Sequence, residues 1–354
     1  MARYYRRGHT NWGFIVVVSA LVAAVVLISL ADKVDFGGKI PTWNKIFAGA
    51  GLAEPAYTEE SDKNESTTVH FIDVGQGDSI LIKTPDKNIL IDAGTTESAG
   101  TVVSYLQSQN VTQLDYLIAT HPHSDHIGGM SYVINKFDIK NIIAPLIPDE
   151  AIPASQSYFN MLKAIENKGL TITAAKAGAQ YDIGAGAGFT IVGPINTDSE
   201  NINNNSVVIR FSYGEVSFLF TGDSERAEED DILASGANIR ADVLKLGHHG
   251  SSTSSGFDWL DTISPLYAVV SCGIDNGYGH PHTEVSSRLD ELSVETYRTD
   301  LEGTIVFKTD GVHLSLVGSD ALPKQNESTG DIKSTLEGFV KKLGDELAST
   351  AKAA

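Results

Sequence analysis

Between residues 69 and 319 short apolar runs alternate with stretches of helical period. The runs "VHFIDVGQGDSILIKT" (69–84), "KNILIDAG" (87–94), "LDYLIAT" (114–120), "NIIAPLI" (141–147), "FTIVG" (189–193), "SVVIRFSYGEVSFLFTGD" (206–223), "ADVLKLGHHG" (241–250), "YAVVSC" (267–272) and "GTIVFKTDGVHLSLVG" (303–318) predict β-strands. Tyr213-Gly214-Glu215 and Asp310-Gly311 predict hairpin turns inside two of them. Helical spacing predicts helices over 98–109, 126–136, 156–168, 224–235 and 283–292. Hairpins mixed with strand–helix units predict an α/β protein with two sheets packed face to face and helices outside. There is no internal repeat.

The flanks have other patterns. Residues 13–31, "GFIVVVSALVAAVVLISLA", are uncharged and almost wholly apolar, and a membrane span needs about 20 such residues. Arg3, Arg6 and Arg7 lie in the basic segment 1–12, and Asp32 and Asp35 follow the apolar run. That asymmetry predicts one N-terminal transmembrane helix with the rest of the chain outside the cytoplasm. A cleaved signal segment is the rival, with small residues in "SLA" (29–31), and it too exports the remainder. Residues 32–68 mix Gly, Pro and charge without a period and predict a linker. In the tail, 320–354, Ile332, Leu336, Phe339, Val340, Leu343 and Leu347 predict an amphipathic helix.

Charge narrows the partners. The formal net charge is −19, and residues 69–319 hold 14 Lys and Arg against 32 Asp and Glu, a balance of −18. The acidity therefore belongs to the domain. It disfavours DNA and anionic lipid as loosely held partners. Cys272 is the only cysteine, so no intramolecular disulfide forms, and its place after "YAVVS" predicts a small core residue.

The densest chemistry is "THPHSDHIGG" (120–129), which spends three of the ten histidines within six positions. His121 and His123 are two apart, so on a strand end their rings point the same way. Asp125 and His126 follow a short turn. Two neighbouring ligand sets result, enough to begin two metal sites. Imidazole and carboxylate without thiolate suit Zn, Mn or Fe. Other strand ends add Asp92, then Asp223 of "FLFTGDSE", then His248 and His249 of "LKLGHHGSS". Asp223 could also cap the helix predicted after it.

Six stretches together, "FIDVGQGDSILI", "ILIDAG", "THPHSDHIGG", "NNNSVVIRFSYGEVSFLFTGD", "LKLGHHGSS" and "GYGHPHTEV", resemble the metallo-β-lactamase superfamily. More narrowly they are similar to the hydrolase-like domain of the ComEC family of DNA-uptake channel proteins. The resemblance implies a four-layer αββα sandwich over 69–319. It implies that His121 and His123 hold one metal, that Asp125, His126 and His248 hold the other, that Asp223 bridges, and that Asp92 orients ligands from behind. Many members supply a further His between the first motif and the bridging Asp. This chain has none between 126 and 248, and Asn205-Ser206 stands there. His249 and His280 are then spare imidazoles, His280 either contacting phosphate or a leaving group or bracing a Pro-containing turn. The channel proteins carry a many-helix membrane domain, whereas one span is predicted here.

The expected activity is that of an extracytoplasmic hydrolase with two divalent ions, zinc first and manganese second, cleaving a phosphodiester. Asp125 or Asp223 would steer the attacking water. The substrate is left open among DNA, which the charge disfavours, a cell-wall phosphodiester and a phosphocholine ester. The competing expectation is a non-catalytic metal-binding module of a surface or DNA-uptake assembly.

Overall fold

The structure is a computed structural model, and it describes residues 66–319. The predicted membrane segment 13–31, nearly all of the linker 32–68 and the tail helix of 320–354 lie outside the described residues. Along the first half run β1 (Thr67–Phe71), β2 (Ile80–Lys83), β3 (Asn88–Ile91), α1 (Ala99–Ser108), β4 (Gln113–Leu114), β5 (Tyr116–Ile118), α2 (Ser124–Ile127), α3 (Met130–Lys136), β6 (Asp138–Ile139), β7 (Ile142–Ala144), α4 (Gln156–Asn167) and β8 (Ile172–Ala174). The second half holds β9 (Gln180–Gly184), β10 (Ala187–Gly193), β11 (Val208–Tyr213), β12 (Val216–Phe220), α5 (Arg226–Ser235), β13 (Val243–Lys245), α6 (Phe257–Ile263), β14 (Tyr267–Val270), α7 (Thr283–Glu291), β15 (Glu295–Arg298), α8 (Thr299–Glu302), β16 (Ile305–Thr309) and β17 (Leu314–Ser319).

One sheet has the order β17-β16-β1-β2-β3-β5-β7-β8 and the other β15-β14-β13-β12-β11-β10-β9, with β4 and β6 as a separate pair. Side chains alternate across each strand. Val69, Phe71, Ile80, Ile82, Ile89 and Ile91 of the first sheet meet Phe189, Phe211, Phe218 and Phe220 of the second. Leu81, Leu90 and Leu117 face the other way, onto Val102, Leu106, Met130 and Met161 of α1, α3 and α4. On the far side Leu219, Leu244 and Ala268 pack against Ile232, Trp259, Leu260 and Val285 of α5, α6 and α7. Each fully buried Val, Leu, Ile or Phe contributes about 1.5–3 kcal/mol. The result is the expected α/β sandwich of four layers, αββα. Among the described residues no helix is long and apolar enough to cross a membrane.

Two features position the site. β3 and β5 pair in parallel, as do β12, β13 and β14. Chain segments leaving parallel strands emerge at one edge of a sheet, where α/β proteins build ligand sites. The helix predicted over 126–136 is broken into α2 and α3 at Gly128-Gly129. A Cβ on Gly129 would lie 2.1 Å from the Ala93 carbonyl oxygen, and one on Gly128 would lie 2.4 Å from the Thr96 nitrogen. Close packing of this bend against the loop after β3 sets the angle at which the His-rich segment meets Asp92.

Candidate metal centre

The chain leaves β5 through Ala119 and Thr120, and His121 follows, fully buried. His123 is extended just before α2, Asp125 lies in the first turn of α2, and His126 is buried beneath it. Asp92 stands after β3 with a left-handed φ of 57°. Its carboxylate accepts from the Thr120 nitrogen at 2.8 Å and faces His126 Nδ1 at 2.7 Å. That contact assigns the Nδ1 proton of His126 and leaves Nε2 to face the centre. The Thr120 hydroxyl donates to Asp92 at 2.5 Å and lies 3.2 Å from His121 Nδ1, which orients the second ring in the same sense.

Asp223 lies at the middle. It is not the N-cap of the following helix, since α5 begins only at Arg226 and Glu225 is its cap residue. Its Oδ1 is 3.2 Å from His126 Nε2, and its Oδ2 is 3.7 Å from His121 Nε2, 3.8 Å from His248 Nε2 and 3.6 Å from His249 Nε2. Two groups of atoms have metal-ligand spacing: Asp78, His126, Asp223 and His249 in one, His121, His123 and Asp223 in the other. Asp223 is common to both.

The grouping differs from expectation at the His pair. His249 joins His126 and Asp223, and His248 lies at the rim with a quarter of its side chain exposed and Nδ1 3.2 Å from Glu225. Both residues have left-handed backbones, φ 49° and 56°. Two such residues in succession turn the second ring inward and the first outward, which residue order alone does not reveal. His249 Nδ1 donates to the Ser271 carbonyl at 2.9 Å, so its Nε2 faces Asp125 Oδ2 at 3.2 Å. Asp125 lies outside both ligand groups and opens onto the pocket. Where a further imidazole would stand, Asn205 turns away: its amide oxygen accepts from Asp198 N at 2.9 Å and its amide nitrogen donates to Asp198 O at 2.7 Å. Ser206 Oγ accepts from Asp223 N at 3.0 Å and lies 3.4 Å from His121 Nδ1. His280 lines the pocket beside His248 and His249.

Sequence reasoning missed Asp78 and its partner Lys245. Lys245 is fully buried, with Nζ 2.7 Å from Asp78 Oδ2, and it donates to the Leu246 carbonyl at 2.9 Å. Asp78 Oδ1 is 3.4 Å from His249 Nδ1. The available signal was a lone lysine inside the apolar run "ADVLKLG".

The electrostatics suit a cation. Burial would raise Asp223, but His126 and His249 hold it well below the usual carboxylate range. Burial would lower His126, but Asp223 and Asp92 hold it well above the ordinary imidazole value. Burial, reinforced by His126, keeps His121 well below it. His126 Nε2, Asp223 Oδ1 and Asp78 Oδ1 are buried without a hydrogen-bond partner, and the 3.2 Å approach of the first two lacks hydrogen-bond alignment. Orphaned buried groups are costly unless something compensates them, and a divalent ion among these atoms would do so.

The family model described as the Metallo-beta-lactamase superfamily matches residues 72–274. The chain belongs to this superfamily. It is 32% identical over 258 residues to ComE operon protein 3 of Bacillus subtilis, covering 68% of this chain and 33% of that protein. It is 34% identical over 254 residues to Competence protein ComA of Neisseria gonorrhoeae, covering 71% and 34%. The match with this chain thus spans about a third of the length of these competence relatives. Among solved structures it is similar to the metallo-beta-lactamase fold protein YhfI of Bacillus subtilis, with TM-score 0.48, 13% identity, 69% of this chain covered and 100% of that chain.

Proposed function

We propose that this metallo-β-lactamase domain is a two-metal phosphodiesterase working outside the cytoplasm. The observation that carries the reading is Asp223, one carboxylate shared by two ligand groups. His121 and His123 would hold one ion, His126 and His249 the other, with Asp223 between and Asp78 at hand. The nitrogen and oxygen donors favour zinc, with manganese second. When bound, two such ions lower the pKa of water and neutralise charge on phosphate oxygens.

The chain's own residues supply the rest. Asp125, about a third exposed, points a carboxylate into the pocket beside His249 and is placed to orient the attacking water. Asp223 is placed to share that role. Burial, with His249 next, lowers His280 to about 4, so it meets substrate as a neutral imidazole that can donate to a phosphate oxygen or a leaving group. In the reaction one P–O bond forms to water and one ester P–O bond breaks, leaving a monoester and an alcohol. Export is supported by Arg3, Arg6 and Arg7 ahead of the apolar 13–31 segment, which would also attach the protein to a membrane. The acidic balance of −18 over 69–319 favours small or weakly charged diesters over long DNA. The test is turnover of bis-p-nitrophenyl phosphate with zinc or manganese, beside Asp223→Ala. Stoichiometric metal with no turnover of any diester would instead favour a non-catalytic accessory module.

A further inference from the structure

One wall of the metal pocket is the loop from Cys272 to His282, and the phosphodiesterase reading leaves most of it without a role. At its tip Tyr278 is 69% exposed although it lines the pocket. Its ring lies nearly parallel to and offset from His280, with centroids 5.5 Å apart and planes 19° apart. His280 in turn stacks on His249, at 6.2 Å and 28°. Three aromatic rings therefore lie in succession from the buried His249 to Tyr278, whose ring is the exposed one.

The loop that carries these rings is braced. Asn276 donates its amide to the Gly273 carbonyl at 2.9 Å and the His280 carbonyl at 2.8 Å, and it accepts from His280 N at 2.8 Å. Gln76 accepts from Gly273 N at 3.2 Å, and His282 Nε2 lies 3.1 Å from the Tyr278 carbonyl. The platform is held before any ligand arrives, so little ordering is lost on binding.

The pocket beside it measures about 290 Å³, and no Lys or Arg is among its described lining residues. Metal ions could hold one phosphate, and the described pocket lining offers no cation for the next. Further affinity must come from uncharged contact, and a single flat face suits a flat ring. Quaternary ammonium groups are instead held by cages of several aromatic faces.

Resting on the phosphodiesterase reading, we propose that Tyr278 and His280 form a one-nucleotide subsite. The base adjoining the scissile phosphate stacks on the exposed ring of Tyr278, and no second phosphate is gripped. The protein then cleaves nucleotide diesters one unit at a time, and short oligonucleotides serve at least as well as long ones.

The test uses the metal-loaded full chain. KM and kcat are measured for thymidylyl-thymidine, for the same diester with one base removed, and for a ten-residue thymidine oligonucleotide. Removing a stacked base weakens binding by roughly 5- to 150-fold. The expected result is a KM gap of that size between the first two substrates, collapse of the gap to about one in Tyr278→Ala, its persistence in Tyr278→Phe, and a KM per end for the dinucleotide no higher than that for the oligonucleotide. A second readout needs no turnover: Tyr278→Trp fluorescence, quenched by thymidine monophosphate and not by deoxyribose phosphate. Base-dependent quenching without hydrolysis would uphold the subsite and refute the phosphodiesterase reading. Hydrolysis with no base-dependent KM would do the reverse. Tyr278-dependent cleavage of glycerophosphocholine, with nucleotides inert, overturns the subsite in favour of a cationic headgroup.

Discussion

Lys245→Met removes one charge from a pair sealed beneath the metal centre, and the outcome follows from how that pair is built. Lys245 Nζ lies 2.7 Å from Asp78 Oδ2, and both side chains are at most 2% exposed. Methionine fills much the same volume, so the substitution leaves little cavity and mainly strands the Asp78 carboxylate. Breaking a buried pair by removing one partner destabilises by about 3–5 kcal/mol, because the remaining charge is left uncompensated. A domain of ordinary stability, ~5–15 kcal/mol, would lose a large part of its margin. Asp78→Asn together with Lys245→Met removes both charges, and such neutral replacements of a buried pair are often tolerated. The double variant should recover ~2–3 kcal/mol of the loss, the upper part of the range for residues in contact. The assay is urea unfolding of the chelator-treated full chain, followed by intrinsic fluorescence, so that metal binding does not enter the comparison. A loss below about 1 kcal/mol in the single variant, or a double variant no more stable than the single, would refute the account of Lys245 as the compensating charge.

Asp223→Ala should deprive both ligand groups of their shared carboxylate, so metal analysis should find less than one ion per chain, whereas His123→Ala should lose one group only. Gly77→Ala places a Cβ 2.3 Å from the Asp125 carbonyl oxygen at a φ of +145°, and thermal melts should show a loss of at least ~1–3 kcal/mol with activity falling alongside. His70 is held at about 4 by burial, with Lys83 adding to it, against an ordinary 6.5. Its folded form takes up a proton less readily than the unfolded one, so its contribution is intact above pH 6.5 and is lost as pH falls towards 4. That amounts to roughly 3 kcal/mol; relative to the parent, His70→Gln should flatten the stability profile in that window, and parallel profiles would count against it. Single-stranded DNA cleavage, if present, should rise with moderate divalent salt, because screening relieves repulsion by the acidic domain; a steep fall with salt would reveal a basic track.

The His-rich turn was legible because four ligand-type side chains lie within six positions of sequence. The sheets were legible because strands covered on both faces read as long apolar runs. What could not be read depends on neighbours brought close only by folding. Asp78 sits in the loop between β1 and β2, and nothing local ties it to Lys245 of β13. The choice between His248 and His249 rests on two left-handed residues, a conformation few side chains adopt. The break between α2 and α3 comes from contact with Ala93 and Thr96, whereas the local pattern favours a continuous helix. The short α6, over "FDWLDTI", has too few turns to show a period. Tyr278 gave no sign, since the exposure of one tyrosine in a loop is not a property of its sequence neighbours.

Asp78, Asp92 and the His121–His126 segment emerge from the first sheet, while Asp223 and His249 emerge from the second. Ions held between them would therefore clasp the open seam of the sandwich as well as serve the proposed chemistry. Metal withdrawal should loosen that seam first, raising amide exchange at the ends of β5, β12 and β13 before the helices respond. On the proposed reading, a metal-poor medium would cost this protein the grip between its two sheets together with its activity, and a returning ion would restore both at once.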